Sequence, residues 1–255
     1  MNLSALDYIL WAAGFFVNAL LFAILVYRRR WREFPVFTAF EGFIAAVAVL
    51  GFLVYRFGSF RSYERFYWIT DAVIFVFQLG VIGEIARIVL RPTGSWFQDA
   101  KKQFLLWGAA GILFAAALPW LVTPPVASWQ VRLDIRADLF ASLVICELIA
   151  VVTRTSKSLG LGWRNHVMAL GNGWTLRAVT GILVDGAHCY LGIHHYYREF
   201  EHVGIFVTIM VNIYWIVQFW LEEPARQPIS PELRAYIEAL HQRIKNDLDR
   251  IEVQR

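Results

Sequence analysis

Charged residues are scarce in this chain. Only 17% of its 255 residues are Asp, Glu, Lys or Arg, and 58% are hydrophobic, whereas a soluble domain holds about 25% charged and about 45–50% apolar residues. The net charge of +4 is too small to indicate a nucleic-acid partner. The composition therefore favours an integral membrane protein, whose first expected partner is membrane lipid.

Cysteine is also rare. The two cysteines, Cys146 and Cys189, lie in or near different apolar runs, and no regular spacing links them. A structural disulfide would require two helices to meet at these positions. We expect two buried free thiols.

Lysine and histidine are missing from the places where several membrane protein families need them. Retinal proteins need a lysine in the last span, but residues 203–221 contain none. Haem b bundles use facing histidine pairs, and hydrolases of the adiponectin-receptor type use histidines in the last span. The first five apolar runs and the seventh contain no histidine. We therefore expect no retinal and no haem, and we predict no other cofactor.

Long apolar runs are abundant. A bilayer needs about 20 mostly apolar residues per helix, and the sequence offers such runs at 5–26, 34–55, 66–90, 104–122, 135–153, 166–191 and 203–221. The connections between them are short and polar. The sequence thus predicts an all-α polytopic membrane protein, a seven-transmembrane-helix bundle over residues 1–222.

Arginine and lysine indicate the orientation. The first, third and fifth connections, with their flanking helix ends, carry 11 of these residues, and the second, fourth and sixth carry 6. Positive charge accumulates on the cytoplasmic side. We therefore expect a multi-pass protein of the cell membrane with its N-terminus outside and its C-terminus in the cytoplasm. This topology, over residues 5–221, is similar to that of rhodopsins and of the seven-helix sensor modules of bacterial signalling proteins.

Ionisable and amide side chains interrupt the apolar runs at similar depths in the inner leaflet. A charge at membrane depth costs several kcal/mol unless it is paired or hydrated, so each one is a functional candidate. We expect an intramembrane polar network, in which Arg177 meets at least one carboxylate of the interior. Its predicted members are Glu41, Glu84, Arg87, Glu147, Asn172, Arg177 and Asn212. A network that only fixes helix packing remains the alternative to one that switches between states.

A second polar group lies toward the outer ends of the spans. Carboxylates and histidines together can bind zinc or another divalent metal ion, although their spacing here matches no established motif. A solvated, pH-sensitive loop is the alternative interpretation. The candidate ligands are Asp71, Asp185, His188, His194 and His195.

The last residues differ in kind. Ser230 and Pro231 are typical of a helix start, and apolar residues then recur at steps of three and four. Residues 223–255 are therefore predicted to form a cytoplasmic linker and an amphipathic helix. Its apolar stripe would form a short coiled coil with a second copy, bind a protein partner, or pack under its own bundle. The stripe consists of Leu233, Ile237, Leu240, Ile244, Leu248 and Ile251.

These features predict a function only in outline. The first interpretation is a membrane sensor or scaffold subunit without catalytic activity, which signals to a partner through its C-terminal helix. The second is a small proton-coupled transporter that uses the inner-leaflet Glu/Arg network. The third is a membrane metalloenzyme with an outer-face Asp/His site.

Overall fold

The protein is helical throughout the part that the structure covers. The computed structural model describes residues 4–90, 97–121, 129–158, 165–191 and 197–222, which contain seven α-helices, a 3-10 turn at Arg30–Arg32 and no strand. The helices are α1 (Ala5–Tyr27), α2 (Pro35–Phe57), α3 (Phe60–Leu90), α4 (Phe97–Leu121), α5 (Trp129–Ser158), α6 (Asn165–Leu191) and α7 (Tyr197–Trp220). The predicted all-α fold is confirmed.

Five of the described helices, namely α1, α2, α3, α6 and α7, are long and apolar enough to cross a membrane. Several helices extend beyond the apolar runs that predicted them. For example, α3 begins at Phe60, because Ser59 accepts a hydrogen bond from the Ser62 backbone N–H (3.2 Å) and starts the helix before the run does. The sequence therefore indicates a membrane protein, and its apolar runs underestimate the helix lengths.

Six of the described helices close a ring in chain order, and α4 is left out of it. α1 packs between α7 and α2, α2 packs on α3, and α3 contacts α5 and α6; α5–α6 and α6–α7 contacts complete the ring. α4 packs against α5. Because successive helices run in opposite directions, α1, α3, α5 and α7 end where α2 and α6 begin. We call this the arginine-rich end, and we call the opposite end, where α3, α5 and α7 begin, the acidic end.

Large aromatic side chains fill the core toward the arginine-rich end. Among the described residues, the six largest fully buried side chains are Trp174, Trp215, Phe34, Phe37, Phe40 and Phe219. They come from α2, α6, α7 and the residue before α2. A fully buried aromatic side chain removes about 150–250 Å² from solvent, so this cluster fixes how the three helices pack.

The start of α2 depends on a residue of α3. Phe34 precedes Pro35 and has no side chain that could cap the helix. The Glu84 carboxylate instead accepts hydrogen bonds from the backbone N–H groups of Val36 (2.9 Å) and Phe37 (3.0 Å). Helix N-termini leave such donors unsatisfied and attract negative charge. The carboxylate of Glu84 thus caps α2 from a neighbouring helix.

Basic side chains hold the last turn of α7. Arg28 donates to the Trp220 carbonyl (2.9 Å) and Arg30 to the Leu221 carbonyl (3.2 Å). His166 Nε2 of α6 lies 3.0 Å from the Gln218 carbonyl, to which its N–H donates. Cations and N–H donors stabilise a helix C-terminus. These contacts therefore fix the end of α7 at Trp220.

At the acidic end, α1 is fixed to α7. Ser4 and Asp7 form a capping box at the start of α1, and Asp7 Oδ1 also lies 2.7 Å from His202 Nε2. Elsewhere, Cys146 and Cys189 are both free, as expected; Cys189 is buried, but Cys146 is only half-buried, so the expectation of burial is wrong for Cys146.

Candidate functional site

Glu41 lies in the interior of the bundle. Its exposed fraction is 0%, and neither carboxylate oxygen receives a hydrogen bond from any residue that the structure describes. The cation that acts on it electrostatically is Arg177 of α6. A buried carboxylate without hydrogen bonds is costly, which makes Glu41 the most unusual side chain of the core.

The Arg177 guanidinium is held by aromatic rings and makes no direct contact with the carboxylate. Its Cζ atom lies 4.9 Å from the centre of the Trp174 ring and 5.9 Å from that of Trp215. An arginine over an indole face is stabilised by cation–π attraction, which strengthens when water is excluded. Glu41 and Arg177 therefore interact electrostatically without a hydrogen bond between them, and the guanidinium lies over two tryptophan rings. We call these two residues the charged pair.

Aromatic contacts lead from this pair to the end of α7. The Trp215 ring lies 5.0 Å from that of Phe37, and Phe37 lies 5.7 Å from Phe219. Phe219 in turn stacks on the ring of His166 at 5.3 Å and 12°. We call Trp215, Phe37, Phe219 and His166 the aromatic chain. It runs without a gap from Arg177 to the last turn of α7.

Trp215 is fixed in two ways. Its Nε1–H donates to the Ala169 carbonyl of α6 (3.0 Å), and its ring lies directly over the Cα atom of Gly173. A side chain at position 173 would occupy the space of the indole ring. Gly173 is therefore needed because α6 and α7 approach each other closely at this point.

An asparagine pair links α1 and α7 near the same core. Asn212 Nδ2 donates to Asn18 Oδ1 (2.7 Å), and Asn18 Nδ2 donates to the Gly14 carbonyl (2.7 Å). Both asparagines are buried. Asn212, a predicted network residue, thus joins α7 to Asn18 of α1, another amide that the sequence places at a similar depth.

The other predicted network residues are not brought to Arg177. Glu84 is used as the cap of α2, and Arg87, one turn further on, is exposed. The Glu147 side chain lies against Gly111 of α4, and Asn172 is exposed on α6. Similar depth in the membrane does not determine which neighbouring helix a side chain faces. Of the expected carboxylates, only Glu41 is the electrostatic neighbour of Arg177.

The acidic end gathers more carboxylates than the sequence reasoning identified. Tyr67 Oη donates to Asp134 Oδ1 at 3.2 Å. Asp138 lies within electrostatic range of other carboxylates from α3, α5, α6 and α7, which are Asp71, Asp134, Asp185 and Glu201. Several helix ends thus bring carboxyl groups into one region of the bundle.

The predicted metal ligands lie within and beside this acidic group. Asp185 and His188 are buried, and His188 Nδ1 lies 3.8 Å from Glu201 Oε1. Among the described residues, no group of three or more His, Cys, Asp or Glu side chains is arranged to hold a metal ion. His194 and His195 lie outside the described residues, so a metal site that includes them stays a prediction.

The predicted partner-binding stripe also lies outside the described residues. This concerns Leu233, Ile237, Leu240, Ile244, Leu248 and Ile251.

Two signals in the sequence could have found the missed residues. Asp134 and Asp138 are four residues apart, so they share a face of α5 even though an apolar run begins between them. Trp174 lies three residues before Arg177, on the same face of α6. The partnership of Arg177 with Trp215 had no local signal, because it depends on how α6 and α7 pack.

Comparison with known proteins identifies no relative of this chain. No family model, curated protein or solved structure matches the chain.

Proposed function

We propose that the protein is an integral membrane sensor without catalytic activity, which passes its state to a partner through the helix predicted in residues 223–255. One observation supports this most directly. The buried Glu41 and its half-buried neighbour Arg177 lie at the start of the aromatic chain, which ends at the last turn of α7. The predicted C-terminal helix follows that turn in the sequence.

The charged pair has the properties of a two-state element. The guanidinium can lie over the two indole rings, or it can move to bind the Glu41 carboxylate. An ionised Glu41 favours the bound arrangement, whereas a protonated Glu41 removes the attraction and favours the cation–π arrangement. A stimulus that changes the protonation or the surroundings of Glu41 therefore shifts the population between the two states.

The aromatic chain offers a route by which that shift reaches α7. Trp215 contacts both Arg177 and Phe37, and Phe219 contacts both Phe37 and His166. A displaced Trp215 ring changes the packing of Phe37 and Phe219, because closely packed side chains move in discrete steps. His166 is the final contact, since its N–H donates to carbonyls of the last α7 turn.

The proposal includes a seven-span topology in the cell membrane, with the N-terminus outside and the C-terminus in the cytoplasm. α4 and α5 are the additional spans. α5 has 30 residues, about 45 Å of helix, which exceeds the hydrocarbon thickness of about 30 Å. The excess of arginine and lysine at the arginine-rich end supports this orientation.

A proton-coupled transporter is the second candidate, and the carboxylates at the acidic end favour it. Together with Glu41 they provide protonatable groups at two depths of the bundle, as a proton relay requires. Reconstituted vesicles distinguish the candidates. A carrier dissipates an imposed pH gradient when its substrate is present, whereas a sensor leaves the gradient intact.

The sensor proposal predicts that the C-terminal stripe joins two copies of the chain. We expect the double variant Ile237→Asp, Ile244→Asp to be folded but monomeric in detergent, because two carboxylates would face the apolar seam. Size-exclusion chromatography with light scattering measures this directly, and circular dichroism verifies the helices.

The matched control places the same two charges on the opposite face. Gln242→Asp, Asn246→Asp adds equal charge away from the stripe and should leave the oligomer intact. A wild-type chain that is already monomeric would contradict self-association through the tail. An oligomer that survives in the stripe variant would do so as well.

A further inference from the structure

A groove runs along α5 toward the arginine-rich end. It has a volume of about 430 Å³, and its lining comes from one face of α5 and from Thr175 of α6. The α5 residues recur at steps of three and four along the helix. They are Cys146, Ile149, Ala150, Thr153, Arg154 and Lys157.

The chemistry of the groove changes along its length. The part from Cys146 to Ala150 is apolar, whereas Arg154 and Lys157 lie at the end of α5. Both cations are exposed, and neither forms an ion pair or a hydrogen bond with another residue in the described ranges. The groove therefore has an apolar part and, at the end of α5, two positive charges without a counter-charge among the described residues.

The dimensions match one leaflet of a membrane. The stripe from Cys146 to Lys157 spans about 16 Å of helix, and half of the hydrocarbon core measures about 15 Å. Cations at the membrane interface attract anionic head groups, and basic pockets between transmembrane helices bind such lipids on the cytoplasmic side. An acyl chain would lie along Ile149 and Ala150 while its phosphate reaches the two cations.

We propose that this groove binds one anionic phospholipid of the leaflet at the arginine-rich end, with its phosphate on Arg154 and Lys157. The site goes beyond the proposed sensor function, because it shares no residue with the charged pair or the aromatic chain. Thr175 and Arg177 both belong to α6, so a bound lipid would contact the helix that carries the guanidinium.

The test uses the full-length protein in nanodiscs of roughly one part phosphatidylglycerol to four parts phosphatidylcholine, with retained lipid counted by native mass spectrometry. We expect Arg154→Gln, Lys157→Gln to lower phosphatidylglycerol retention about 25-fold, roughly fivefold for each cation. Ala150→Trp, which keeps both charges and fills the apolar part of the groove, should lower retention to a similar extent.

The matched control removes two cations elsewhere at the same end. Arg32→Gln, Arg87→Gln should keep retention within about twofold of wild type, because neither arginine lines the groove. An equal loss in this control would overturn the proposal, since retention would then reflect general attraction to an anionic surface. Unchanged retention in Arg154→Gln, Lys157→Gln would overturn it too.

A competition experiment separates a lipid from a soluble phosphate. Glycerophosphoglycerol, which has the phosphodiester head group and its single negative charge but no acyl chain, should fail to displace the retained phosphatidylglycerol. Complete displacement, or normal retention in Ala150→Trp, would mean that the two cations bind a phosphate group without help from the apolar part of the groove. Either result would refute the lipid site.

Discussion

Replacing Glu84 by alanine is expected to lower the free energy of unfolding by about 3 kcal/mol, because the carboxylate caps α2 through two backbone hydrogen bonds. Phe37, one of the two donors, is fully buried. Without the carboxylate its N–H loses a partner that water replaces poorly at membrane depth. The unfolding equilibrium in mixed detergent micelles measures this loss.

Glutamine at the same position is the informative control. Glu84→Gln keeps one oxygen acceptor but removes the negative charge at the helix N-terminus. We expect it to lose about 1 kcal/mol, since one of the two hydrogen bonds and the attraction to the helix dipole are removed. If alanine and glutamine are equally and weakly destabilising, Glu84 does not cap α2.

Gly173→Ala should cause the second large effect. A methyl group at this position overlaps the indole ring of Trp215, which is fully buried. Either the ring leaves its place and loses its hydrogen bond to Ala169, or α6 and α7 separate. Overpacking of this kind costs about 1–3 kcal/mol, and a thermal unfolding curve in detergent measures it.

The same helix provides the control for this substitution. Gly186 also lies in α6, but a methyl group there would meet no atom of a neighbouring described residue within 4 Å. Gly186→Ala should therefore leave stability unchanged or raise it slightly, since alanine is the better helix former by about 1 kcal/mol. Equal destabilisation by both substitutions would show that the Trp215 contact is not the cause.

The fold class was predictable because it depends on local patterns. Apolar runs of about 20 residues and polar connections identify helices without knowledge of their neighbours. The ring order was not predictable in this way, because α4 leaves the ring and α3 packs on α5. That choice depends on the shapes of whole helix faces, which periodicity does not describe.

The site was predictable only in its most unusual members. Glu41 and Arg177 were identified because an ionisable residue in an apolar run is costly wherever it points. Glu84 was identified for the same reason but its role was not, since the donors of Val36 and Phe37 become neighbours only after α2 and α3 pack. Glu147 likewise faces α4, and depth along a helix does not determine which neighbour a side chain meets.

Hydrogen exchange at the last turn of α7 tests the central claim, that the charged pair is coupled to the end of α7. Glu41 lies about 9 Å from the start of α2, and so from the level of that turn. In nanodiscs, Glu41→Gln should change amide exchange of residues 217–221 at least about fivefold, a coupling of roughly 1 kcal/mol. Glu147→Gln, a matched change in a carboxyl that contacts α4, should leave the same amides unchanged. Identical exchange in wild type and in a folded Glu41→Gln variant would contradict the account.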